Sequence, residues 1–298
     1  MEKSKVKYKI SHVTTYEYDS VVPVCQNIVC LTPRNTETQS CLRHRLSVRP
    51  EPTSNNRRID YFGNSLVSFS VDVSHTQLRI SSSSTIRTSP REISESAVSP
   101  PWESVRDMLP NNSTKEGLSD FQFVFPSDYV PTLAPLQEYV KSSFEPRRPI
   151  LDAVLELNSR IHKDFQYDPR ATTVNTPVEQ VFELRRGVCQ DLAHLMIAGL
   201  RSLGLAARYV SGYLRTHPPE GQPKLTGADA SHAWVSVFAG ELGWIDVDPT
   251  NNMLPNTDHI TIGWGRDYKD VCPVSGMYIG GGNHRLTVAV DVSSLDGS

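Results

Sequence analysis

Apolar and polar residues alternate through the first third of the chain. Tyr8, Ile10, His12, Thr14 and Tyr16 are each flanked by more polar neighbours, as are Leu42, His44, Leu46 and Val48. Ser65 to Val73 and Leu78 to Arg87 read as two further strands behind a turn at Gly63-Asn64. Several short strands without a helical period predict an antiparallel β-sandwich. Prolines then punctuate a connector over about residues 96–148, where Phe121, Phe123, Phe125 and Tyr129 are too apolar for a free linker and predict packing across a domain boundary. Leu133 to Phe144 is compatible with a helix opening the second domain.

Beyond that point the period lengthens. Ile150, Val154, Leu157, Ile161 and Phe165 mark a helix with Pro149 at its first turn. Thr176-Pro177-Val178-Glu179 fits a capping box opening a short helix that runs to Leu184. Leu192, Leu195, Met196, Gly199 and Leu200 predict a helix with one buried face, stopped at Gly204. Ala207 to Arg215 reads as a strand, Ser231–Phe238 and Trp244–Thr250 as a hairpin, and His284 to Val292 as a closing strand. The fold class is α+β: residues 1–125 form the sandwich and connector, and residues 126–298 a helix-plus-sheet domain.

A length of 298 residues suits two domains. The formal charge of −3 gives no pointer to nucleic acid or an anionic membrane as partner. The N-terminus lacks the apolar segment of a signal peptide, and no run approaches the ~18 apolar residues of a membrane span. Cys25, Cys30, Cys41, Cys189 and Cys272 are odd in number and follow no zinc-like spacing; no HExxH is present either, so neither metal nor cofactor is expected. Cytoplasm, with reduced thiols, is the expected compartment. The oligomeric state is not readable.

The candidate chemistry begins at Cys189. Gly187 lets the chain turn into the helix, which puts this cysteine at or within a residue of the helix N-terminus. Unpaired N–H groups and the macrodipole there favour a thiolate and can receive an oxyanion. The competing reading is a buried thiol acting as a small hydrophobe, the commoner role of a free cysteine. Downstream, a hairpin turn centred near Gly240 sets His232 opposite Asp248, with Cβ atoms about 4.5–5.5 Å apart. Only a one-residue slip would send them to different faces. Asp246, on the same face, is the rival for Asp248. A thiol, an imidazole and a carboxylate in these contexts form a nucleophile, base and orienter set. His194, five positions along the helix from Cys189, turns roughly 140° away and is a poor partner. His12, His44 and His75 fit hydrogen-bonded structural roles on strand faces.

Gly-Val-Cys-Gln-Asp, Ser-His-Ala-Trp-Val and Trp-Ile-Asp-Val-Asp-Pro-Thr-Asn resemble the core motifs of the transglutaminase-like superfamily, most closely its bacterial branch of cysteine proteases. Tyr8 to Tyr16 and Leu31-Thr32-Pro33-Arg34 resemble the β-rich region that precedes the core in that branch. The resemblance implies a papain-like α+β core with Cys189 as nucleophile, His232 as base and Asp248 as orienter. It also implies an oxyanion-hole side chain upstream of the nucleophile. Tyr167 is the candidate, against a tyrosine simply packed on the sheet; Gln190 adjoins the thiol, though adjacency alone does not aim its amide. The expected activity is cysteine-dependent acyl transfer on an amide bond of a peptide or protein substrate, with hydrolysis favoured. A transglutaminase using the same triad is the alternative within this chemistry, and a non-catalytic peptide-binding module the alternative outside it. His217 to Pro223 is expected to form an exposed loop bearing on substrate access.

Overall fold

The computed structural model describes residues 5–91, 99–216 and 230–296; the loop from His217 to Pro223 lies outside them. The first half carries β1 (Val6–Val22), β2 (Val24–Val29), β3 (Gln39–Arg49), β4 (Ser54–Ile59), β5 (Ser65–Val71) and β6 (His75–Thr88). In β1 the alternating set Tyr8, Ile10, His12 and Thr14 is buried, as a period of two requires. The alternation slips in β3. A bulge between Cys41 and Arg43 leaves Leu42 without a cross-strand partner and 46% exposed. Two strands escaped the sequence pattern. β4 is an edge strand exposed along its whole length, so no buried face marks it, and β2 is only six residues long.

Helices follow: α1 (Trp102–Met108), α2 (Lys115–Phe121), α3 (Ala134–Lys141) and α4 (Ile150–Asp164). The short strand β7 (Gln166–Tyr167), α5 (Val178–Leu184) and β8 (Arg186–Gly187) lead into α6 (Cys189–Ser202). The capping box expected at α5 does not form. Pro177 is the N-cap, and the Thr176 hydroxyl instead accepts the Thr173 N–H at 2.8 Å. Phe123 joins the main core and packs 5.8 Å from Phe62, across the connector.

The second half supplies β9 (Ala207–Leu214), β10 (Ala230–Phe238), β11 (Trp244–Val247) and β12 (His259–Gly265), which form an antiparallel sheet in the order β11-β10-β9-β12. Two strands remain, β13 (Val274–Ile279) and β14 (His284–Ser294), and neither joins that sheet. They complete the sheets of the first half, in the orders β14-β1-β6-β3 and β13-β2-β5-β4. Residues 274–294 therefore sit with the N-terminal strands, and the division expected at residue 126 does not describe sheet membership. Without them β1 and β2 would each present an open edge. The two four-stranded sheets share a core: Tyr18, Val22 and Leu78 of one lie in a buried cluster with Cys25, Phe69 and Val71 of the other.

The helix α6 was expected to bury one face, yet every residue from Asp191 to Arg201 is buried. It lies between the β9–β10 face of the sheet on one side and α3, α4 and α5 on the other. Gly199 permits the α3 approach, since a Cβ there would stand 2.4 Å from Cγ2 of Val140.

The outer edge of β12 is closed by side chains rather than by a strand. Gln39, 4% exposed, accepts the Thr261 N–H at 2.8 Å and donates to the Thr261 carbonyl at 2.7 Å. Asn64, fully buried, does the same for Trp264 at 3.1 and 2.9 Å. Two amides from the N-terminal half thus imitate a neighbouring strand. Gly263 leaves room for this, because a Cβ there would meet Asn64 Oδ1 at 2.7 Å.

Candidate active site

Cys189 is the first residue of α6. The entry into the helix is held by Asp191, whose Oδ2 accepts the Val188 N–H at 2.8 Å and the Thr172 hydroxyl at 2.6 Å. Gly187 is needed for a different reason than a turn. A Cβ there would lie 2.7 Å from that carboxylate oxygen, so glycine lets Asp191 fold back over its own N-terminus. Cys189 therefore stands where the first N–H groups of a 14-residue helix have no partners within the helix.

His232 lies on β10 and Asp248 one residue beyond the end of β11. The observed pairing of Val235 with Val247 and Phe238 with Trp244 sets Asp248 level with Trp234, a register two residues away from the expected one. The single-turn 3₁₀ helix Gly240–Leu242 lengthens the connection and accounts for the shift. An even shift keeps both side chains on one face, so they meet diagonally. His232 Nε2 lies 2.7 Å from Asp248 Oδ2. Asp246 is occupied elsewhere, accepting the Trp234 indole N–H at 3.1 Å.

With Nε2 turned to Asp248, the imidazole has Cys189 near enough on its other side for a thiolate there to favour the charged ring. Burial alone would lower the His232 pKa. The hydrogen bonds to Asp248 and Cys189, together with the charges of a thiolate and a carboxylate, override it and raise the group to about 10. Asp248 is fully buried. Burial would raise its pKa, but hydrogen bonds from His232, His259 and Asn251 hold it well below the usual carboxylate range. Its Oδ1 accepts the N–H groups of Thr250 and Asn251 at 2.9 and 3.1 Å. Its Oδ2 takes the Asn251 amide at 2.7 Å and also faces His259 Nε2 at 3.2 Å.

Asn251 and His259 were not singled out in the sequence. Asn251 carried a signal, since an aspartate followed by Pro-Thr-Asn suits an Asx-type turn onto its own carboxylate. His259 carried none: it comes from β12, and Thr261 of that strand and His232 of β10 both pair with Gly212 on the intervening β9. That glycine has no substitute, as a Cβ there would meet the Ile260 carbonyl oxygen at 2.2 Å and the Trp234 ring at 2.5 Å.

Tyr167 pairs with Gly187 through β7 and β8, is 54% exposed, and lies close enough for a Cys189 thiolate to help burial raise its pKa. Gln190 directs its amide away, donating to the Val174 carbonyl at 3.0 Å. His194 is buried and accepts the Tyr268 N–H through Nε2 at 3.1 Å. Burial and the nearby Arg201 lower its pKa to about 3.

The donor atoms of His232, Asp248 and His259 lie within 4.8 Å of one another, a set that can in principle hold a cation. The 2.7 Å separation of His232 Nε2 and Asp248 Oδ2 is a hydrogen-bond length. Ligand atoms at about 2.0–2.1 Å from a tetrahedral zinc stand farther apart, on the order of 3.3 Å. The pair as found fits a shared proton better than a shared metal.

A thiol, an imidazole and a buried carboxylate gathered at the end of an enclosed helix are the arrangement of transglutaminase-like proteins. Comparison with known proteins agrees. Residues 8–87 match the bacterial transglutaminase-like N-terminal region and residues 137–249 the transglutaminase-like superfamily. An uncharacterized protein of Mycobacterium tuberculosis is 40% identical over 98% of this chain and 94% of its own length. A solved structure from Cytophaga hutchinsonii, described as a "putative cysteine protease", superimposes with a TM-score of 0.78 at 25% identity, covering all of this chain and 93% of that one. A protein-glutamine gamma-glutamyltransferase of Pseudomonas aeruginosa is 36% identical over 32% of this chain but only 14% of its own length. The chain belongs to the transglutaminase-like superfamily, with the N-terminal region of its bacterial branch. Among the described residues no helix is long and apolar enough to cross a membrane.

Proposed function

We propose that this protein is a cysteine-dependent acyl-transfer enzyme that cleaves an amide bond of a peptide or protein through a thioester on Cys189. The observation that carries the reading is the 2.7 Å hydrogen bond between His232 Nε2 and the fully buried, donor-saturated Asp248, on an imidazole that has Cys189 near enough to favour its charged form. In this scheme the thiolate attacks the carbonyl carbon, and the oxyanion forms against the N–H groups at the head of α6. The His232 imidazolium gives its proton to the leaving amine. It then takes a proton from water, which attacks the thioester, releases the acid and restores the thiolate. Asp248 fixes the tautomer throughout. Tyr167 is proposed as a pocket residue, its hydroxyl available to the oxyanion. Gln190 would need to release Val174 before serving there.

Hydrolysis is preferred to amine transfer because the solved relative matched over the whole chain is described as a "putative cysteine protease", whereas the glutamyltransferase match spans a third of it. All five thiols are free, the state a reducing compartment maintains, and cytoplasm is the compartment proposed. The test combines a fluorogenic peptide library, dansylcadaverine as an amine acceptor, and iodoacetamide labelling read by peptide mass spectrometry. Turnover that is lost in Cys189→Ala, with labelling centred on Cys189, is the expected result. Turnover surviving that substitution removes the proposal, and dansyl incorporation outrunning hydrolysis replaces it with the transferase.

A further inference from the structure

We infer that His259 is a positioning residue, a second imidazole that donates to Asp248 and holds its carboxylate in place for His232. The inference rests on the triad reading above. The tautomer is set locally. Nδ1 of His259 accepts the backbone N–H of Asn256 at 3.2 Å, so the ring proton is on Nε2, the nitrogen that faces Asp248 Oδ2 at 3.2 Å. The other neighbour of Nδ1, Asn256 Oδ1 at 3.5 Å, already accepts the Asp258 N–H at 2.8 Å. The side chain of His259 is 1% exposed and its ring packs 5.4 Å from that of Trp234. It cannot swing to water, and Asp248 cannot turn without leaving a buried N–H unpaired.

The same contact gives the N-terminal sheets a part in the chemistry. The approach to His259 is fastened from their side: the Tyr8 hydroxyl donates to Asp258 Oδ1 at 2.7 Å, and Thr88 donates to the Thr257 carbonyl at 3.0 Å. Gln39 grips Thr261 two residues further on. Each link bears on β12 or its approach, and β12 reaches Asp248 through His259. The ionisable groups facing Asp248 are His232 from β10 and His259 from β12, with Cys189 behind His232; Asp258, beside His259, is paired with Arg215 at 3.6 Å.

The experiment measures the rate of Cys189 alkylation by iodoacetamide against pH, site-resolved by mass spectrometry, in the full chain. It compares wild type with His232→Ala, His259→Phe and His259→Gln. Without the His259 donor Asp248 is no longer held square to His232, so the imidazolium, and with it the thiolate, is less favoured. The acid limb of the alkylation profile in His259→Phe should therefore move up by about half a pH unit or more, with the plateau rate falling severalfold. His259→Gln, whose amide can replace the Nε2 donor, should restore both. If His259→Phe does not fold, His259→Asn, too short to reach Oδ2, takes its place. A His259→Phe profile that superimposes on wild type while His232→Ala destroys the profile overturns this inference and leaves the triad standing. A profile unchanged even by His232→Ala overturns both.

Discussion

His12 and His232 have the same side chain and nearly the same burial, 1% and 7% exposed, and the two halves of the molecule put them to opposite use. In the N-terminal sheets the hydrogen-bond partners of His12 among the described residues are hydroxyls, Tyr213 at 2.8 Å and Thr14 at 2.9 Å. Burial goes unopposed there and lowers its pKa to about 4. In the C-terminal sheet His232 bonds a carboxylate at 2.7 Å with the Cys189 thiol nearby, and its pKa rises to about 10. The desolvation is similar; the charge of the partners decides the outcome. A buried histidine is therefore not evidence of chemistry by itself. One held between two groups that become anionic is.

The sharpest way to break this contrast is to delete each imidazole in turn. On the proposed mechanism His232→Ala should lower turnover by about 10³-fold or more while the protein remains folded, because a thiol deprived of its base loses most of its catalysis. Steady-state kinetics beside a thermal melt check both halves of the statement. Asp248→Asn should cost less, on the order of 10²-fold, since an amide can still orient the ring but cannot favour its charged form. Its second effect is on pH. The wild-type alkaline limb of kcat/KM should lie near 10, where His232 gives up its proton, and in Asp248→Asn it should retreat toward the ordinary histidine value. An alkaline limb unmoved by Asp248→Asn would mean that the carboxylate does not set the imidazole's charge.

Local pattern made much of this legible and long-range pairing made the rest invisible. The start of α6 and the shared face of His232 and Asp248 depend on residues within a helix turn or a hairpin, so periodicity reveals them. The register itself was displaced because the 3₁₀ turn at Gly240–Leu242 is not encoded by the count of loop residues. The enclosure of α6 could not be read, as Asp191, His194 and Arg201 look like an exposed face. They are buried because each finds a specific partner: Val188 N–H and Thr172 for Asp191, Tyr268 N–H for His194, and carbonyls of Ala207 and Arg266 for Arg201. The return of β13 and β14 to the first half and the reach of His259 to Asp248 are contacts between distant segments, for which a single sequence has no periodic signature.

A second contrast lies in how each region closes its edges. The N-terminal sheets gain strands from the C-terminal part of the chain, whereas among the described residues β12 is closed by the side chains of Gln39 and Asn64. Gln39→Leu keeps the volume but leaves the Thr261 N–H and carbonyl, and the Arg34 carbonyl at 2.7 Å, without this donor and acceptor. At about 1–3 kcal/mol for each of these three buried groups, the loss should be roughly 3 kcal/mol or more in urea unfolding. Turnover should also fall if β12 supports Asp248. A stability loss with unchanged kcat would confine Gln39 to structure.

The mildest probe returns to His12. His12→Phe should cost roughly 1–2 kcal/mol at neutral pH, the value of two hydroxyl contacts partly offset by an apolar ring in an apolar site. Its effect on pH dependence has a definite sign. A histidine whose folded pKa is depressed binds its proton in the unfolded chain first, so stability is lost as pH falls from about 6.5 to about 4 and then levels off. His194, lowered to about 3, contributes in the same direction. His232 runs the other way. Its raised pKa gives stability that is complete below about 6.5 and fades as pH climbs to about 10. Urea midpoints measured from pH 4 to pH 7 should therefore slope less in His12→Phe than in wild type, by at most about 1.4 kcal/mol per pH unit. Above pH 7 the two curves should run parallel, since His232 and the other groups that titrate there are present in both. A variant that altered the alkaline side and spared the acid side would show that the two imidazoles had been assigned each other's charge state.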